Sequence, residues 1–179
     1  MPSSWLQKRP WLPRALPYML AAMLVQVNTW GLMPALVPFA MANTSRGYSG
    51  DHGSGNLAIA FQLGAGMILL GELATLLFKT PIGLACVLFS TAAFVVYGGV
   101  LDMPLYHHRY SSYCVIAAYC VVRFFESNIM TTCYRQIAEN FSKEHREQAI
   151  RMVGVCDQFC STSCIIIMTI IVSQVAVCS

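Results

Sequence analysis

The chain has 179 residues, 56% of them hydrophobic and 11% charged, with a net charge of +3. A soluble domain carries about 25% charged residues. This composition therefore excludes a globule folded in water around one core, and the arrangement of the charges matters more than their sum.

Before the first apolar run, residues 1–17 read as a cytoplasmic amino-terminal segment. Trp5 and Trp11 stand beside Lys8, Arg9 and Arg14 there, as an interfacial anchor. A signal peptide is excluded, because the following run is 25 residues long against about 7 to 15 for a signal core. Five runs follow in chain order, at 18–42, 56–78, 82–101, 112–132 and 152–177. Each is long enough for a helix rising about 1.5 Å per residue to cross about 30 Å of hydrocarbon. Of 19 charged side chains, only Glu72, Arg123, Glu126 and Asp157 fall inside them. The expected fold is an all-α, polytopic integral membrane bundle of five transmembrane helices with its partner the lipid bilayer.

Orientation follows from the basic residues. With the amino terminus cytoplasmic, Lys8, Arg9, Arg14, Lys79, Arg135, Lys143, Arg146 and Arg151 lie inside and only Arg46 and Arg109 outside. Asn43-Thr44-Ser45 then offers a glycosylation acceptor at Asn43 in an outside loop, which would make the chain a glycoprotein. Cys114 and Cys178 fall near the outside ends of adjacent spans, where one bridge is conceivable. The other cysteines lie in or beside spans and read as packing groups.

In the first span, Pro34 and Pro38 cannot donate to the carbonyls of Trp30 and Pro34, so the helix is expected to kink or break. Freed carbonyls at membrane depth line a cavity or are satisfied by a neighbouring helix, and both readings stay open. The second span carries Ala60, Gly64, Gly66 and Gly71, a small-residue pattern for close helix packing. Lys79, Thr80 and Pro81 join spans two and three in a tight turn expected to form an antiparallel hairpin.

In span four, Arg123 and Glu126 stand three apart on one helix face and can pair. Glu72, Glu126 and Asp157 lie five or six residues from the cytoplasmic ends of their spans, about 8 to 9 Å deep at helical rise. With Arg123 they are candidates for a gate or ion pair, weighed against plain interhelical glue. The segment 133–151, with a Glu147–Arg151 pair at helix spacing, is expected to be a cytoplasmic helical loop. Cys156, Cys160 and Cys164 are too spread to hold one metal ion, so no metal is expected. No hydrolase, zincin or P-loop motif occurs either, so the chain is not expected to be an enzyme, nor to need a cofactor or bind nucleic acid.

The remaining polar and aromatic groups inside the runs include Asn28, Trp30, Gln62 and Asn128, the candidates for contacting substrate. Amides and aromatic rings suit an uncharged planar solute.

At these residues the chain resembles the carboxyl-terminal half of the eukaryotic riboflavin transporter family. The similar stretches are Tyr18 to Asn28 into Gly31-Leu32-Met33-Pro34, Asn56-Leu57-Ala58, Tyr134-Arg135 through Arg151, Gly154-Val155-Cys156-Asp157-Gln158, and a Cys close to the end. The resemblance implies plasma-membrane transport of riboflavin or a similar small solute. Members have 11 spans with the pathway between two halves, so the chain would supply one wall, completed by an amino-terminal half or by a homo-oligomer. The charged Arg123, Glu126 and Asp157 depart from the family's pattern. The rival expectation is a non-transporting membrane scaffold or accessory subunit that docks through its polar helix.

Overall fold

A computed structural model describes residues 9–34, 36–38, 40, 52–100 and 111–178, and every element among them is helical. Helix α1 spans Leu12–Gln26. Its first turn holds Pro13, where a missing N–H costs nothing. Over Val27–Leu32 the helix widens into a π turn, with the Met33 amide bonded to the Asn28 carbonyl five residues back. The chain is helical again at Met33 and Pro34. Pro34 removes one donor from the α-helical ladder, and the extra residue in the turn before it lets the helix run on. The break expected at Pro34 thus takes the form of a widened turn.

Helix α2 spans His52–Leu77, α3 Ile82–Val100, α4 Ser111–Asn140 and α5 Lys143–Cys178. Among the described residues three stretches are long and apolar enough to cross a membrane: Leu57–Leu77, Tyr113–Asn140 and Lys143–Ile170. Ile82–Gly98 is apolar but shorter. The expected first span is divided at the widened turn, and the end of it lies outside the described residues. Asn43 also lies outside them.

Two sequence expectations are corrected. The polar segment 133–151 is no helix of its own, because α4 continues through it to Asn140 and α5 starts at Lys143. Phe141 forms the corner. Its buried ring packs edge-on against Tyr18 at 6.2 Å, and the Ser142 carbonyl accepts the amides of His145 (3.1 Å) and Arg146 (2.9 Å). Nor do α2 and α3 pair chiefly with each other, since both lie along α4, which also meets α1 and α5.

Side-chain pairs fix the helix directions. Phe61 meets Tyr119, and further along both helices Ser127 meets Ile68, so α2 and α4 run parallel. Gln26 meets Asp157 and Gly31 meets Cys164, so α1 and α5 also run parallel. Tyr18 lies beside Cys133 and Thr29 beside Glu126, which makes α1 antiparallel to α4. Cys86 lies near Cys133 while Tyr97 reaches Asn28, so α3 is antiparallel to α4 as well. Successive helices therefore alternate in direction.

The core sits chiefly between α3 and α4, where Phe89, Val96, Val115, Val122 and Ile129 are fully buried. A second cluster at the other end of α4 joins Trp11, Ala15, Ala22, Ile137, Phe141, Ala149 and Val153. Outside, large apolar residues are left uncovered, among them Leu76 (80% exposed) and Phe159 (70% exposed). Hydrocarbon would cover such a surface, and water would not.

Candidate functional site: a polar cluster on the widened turn

Three buried polar residues, Gln26, Asn28 and Thr29, occupy the junction of α1 and its π turn. Each points to a different helix. Gln26 Nε2 donates to Asp157 Oδ1 on α5. The Tyr97 hydroxyl on α3 donates to Asn28 Oδ1, while Asn28 Nδ2 donates to the Leu24 carbonyl at 2.8 Å. Thr29 faces the Glu126 carboxyl on α4, its own hydroxyl oxygen lacking a well-formed hydrogen bond. Two residues further on, Gly31 keeps the surface flat. A Cβ there would stand 3.2 Å from Cys164 Sγ, so a larger residue would push α5 away.

Behind this row Arg123 and Glu126 form the expected ion pair, at 2.6 Å, with side chains 21% and 16% exposed. Glu126 is thereby compensated, whereas Arg123 Nε remains without a partner. Asp157 differs, since its hydrogen bond comes from a neutral amide.

The sequence candidates divide into three groups. Asn28, Arg123, Glu126 and Asp157 gather around the widened turn. Asn128 is buried too, at 1% exposure, with its Oδ1 unpartnered. It stands two residues past Glu126, about 200° round the helix at 3.6 residues per turn, so it faces away from the cluster. Trp30 (50% exposed), Gln62 and Glu72 lie on the outer surface and do not join it.

Gln26, Thr29 and Tyr97 were not among the candidates. Gln26 had a signal, being an amide two positions from Asn28 in an otherwise apolar run. Tyr97 had none, because nothing local distinguishes it from an interfacial anchor.

Comparison with known proteins finds no matching family, no matching curated protein and no matching solved structure. The cluster must be interpreted from its own chemistry. Its groups are amides, hydroxyls, one neutralised ion pair and the Asp157 carboxyl, a set that binds by hydrogen bonding. Among the described residues no three His, Cys, Asp or Glu converge on one point. Cys114 is a free thiol, and the Cys178 side chain lies outside the described residues.

Proposed function

We propose that the chain is a five-pass integral membrane protein with its amino terminus cytoplasmic, forming part of a transporter for a small, neutral aromatic solute, with riboflavin the substrate to test first. The row of Gln26, Asn28 and Thr29 on a widened helical turn carries this reading. Irregular helix at membrane depth, furnished with amides and hydroxyls, is how carriers build solute sites. The alternating helix directions support the topology. They gather Arg9, Arg14, Lys79, Arg135, Lys143, Arg146 and Arg151 at one end of the bundle, as expected of a cytoplasmic face. The substrate rests on the resemblance to riboflavin transporters alone. The pathway would need a second wall, from an amino-terminal half or another copy.

Uptake of labelled riboflavin into vesicles containing the protein tests the reading. Accumulation above empty vesicles, lost in Asn28→Leu, is the expected result; uptake equal to that of empty vesicles, both by the chain alone and with an amino-terminal half supplied, refutes it.

A second reading, an accessory membrane subunit, is favoured by one observation. Gln62 and Glu72 are exposed on the surface of α2, where lipid contact with a charged group costs at least about 2.5 kcal/mol. A photo-crosslinker at position 62 that captures one stoichiometric protein, in a chain without riboflavin uptake, supports that alternative.

A further inference from the structure

Gln26 offers two groups to the interface of α1 with α5, and only one is used. Its Nε2 donates to Asp157 Oδ1, while its Oε1 is buried with no hydrogen-bond partner. An ionised carboxylate only accepts hydrogen bonds, so it cannot satisfy that oxygen. A carboxylic acid has one O–H to donate. With a proton on Asp157, acid and amide would close a two-bond ring: amide N–H to acid carbonyl, and acid O–H to the amide oxygen.

The surroundings give the Asp157 carboxyl an amide partner and, among the described residues, no ion pair. Neither the Arg123–Glu126 nor the Arg151–Glu147 ion pair includes Asp157. The titratable groups facing it are the Tyr134 phenol from α4 and the Cys160 thiol on its own helix, and α1 contributes the Gln26 amide. Nor is the site sealed. Asp157 lines an open groove of about 760 Å³ with Tyr134, Gly154, Gln158 and Thr162. The groove reaches Arg151, whose side chain is 76% exposed at the basic end of the bundle. Val155 and Phe159 wall the groove on the side that meets hydrocarbon, so a proton reaches Asp157 from the Arg151 end, six residues or about 9 Å away at helical rise.

We propose that Asp157 is a proton-binding site whose acid form, clasped by Gln26, fastens α5 to α1. Losing the proton leaves one hydrogen bond where there were two and a half-buried carboxylate without a counter-ion, so the clasp loosens. The inference rests on the helix interface and stands apart from the transport reading.

Infrared spectroscopy of the purified protein in lipid nanodiscs, titrated across the neutral range, tests it without any substrate. The wild type should show a carboxylic-acid carbonyl band that Asp157→Asn removes, Gln26→Leu shifts and Glu126→Gln leaves in place. The thermal midpoint of the wild type should fall over the pH range in which the band disappears. Asp157→Asn keeps both hydrogen bonds to Gln26, and its midpoint should stay flat. An acid band that survives in Asp157→Asn, or no band at all, overturns the proposal. Should Asp157→Asn fail to fold, Gln26→Leu decides: a shifted band upholds the clasp and an unshifted one overturns it.

Discussion

The Ser127 hydroxyl on α4 donates to the backbone carbonyl of Ile68 on α2 at 2.8 Å. Helices come this close only where a side chain is missing, and here it is missing at Gly71. A Cβ at that position would overlap the Phe124 carbonyl oxygen and the Ser127 hydroxyl. The backbone carbonyl cannot swing aside, so Gly71→Ala should cost about 1 to 3 kcal/mol and lower the thermal midpoint in detergent. Gly66 has open space around it, so Gly66→Ala should stay within about 0.5 kcal/mol of the wild type.

Tyr97→Phe removes the hydroxyl that donates to Asn28 Oδ1 and leaves a buried acceptor unpaired. A loss of about 0.6 to 1 kcal/mol is expected. The same change in an Asn28→Leu background should cost almost nothing, a non-additivity that a double-mutant cycle measures directly.

Arg123→Met strands Glu126, whose side chain is 16% exposed. Stability should fall by about 2 to 3 kcal/mol, and Arg123→Met with Glu126→Gln together should recover most of it, because an unpaired buried charge is worse than no charge. The Glu147–Arg151 pair has the same charges at 2.5 Å, but its side chains are 71% and 76% exposed. Glu147→Ala should therefore cost no more than about 0.5 kcal/mol, an effect that added salt shrinks further.

Arg135 Nη1 donates to the Thr75 carbonyl at 2.5 Å, in the last turn of α2. That carbonyl has no helical amide to bond beyond the end of the element. Arg135→Met should fray the end of α2, seen as amide exchange about tenfold faster near Phe78 and unchanged in mid-helix.

Much of the architecture could be anticipated, because the length of an apolar run reports on the helix it forms. Arg123 with Glu126, and Glu147 with Arg151, were legible for a similar reason: neighbours at three or four residues share a face whatever surrounds them. The disturbance at Pro34 was legible too, although its form was not. A missing amide says that a hydrogen bond is lost, but not whether the backbone bends, breaks or widens.

Contacts between helices were harder to foresee. Gln26 and Asp157 are 131 residues apart, and no local pattern links them. The outward placement of Trp30, Gln62 and Glu72 was hidden because a run that is apolar on every side gives no phase from which to tell inner face from outer. Charge also misled at 133–151, where a polar stretch looked like a separate element. Helix α4 runs into its first half and α5 takes up the rest, since hydrogen bonding along an axis continues whether the side chains meet oil or water.

The extra residue between Val27 and Leu32 sets the rotational phase of the chain before it against the chain after it. Gln26, Asn28 and Thr29 hang from that one offset, and between them they address α5, α3 and α4. Sliding the bulge would turn side chains within it against Gln26, so the junctions with α3 and α4 are held in register with the one to α5.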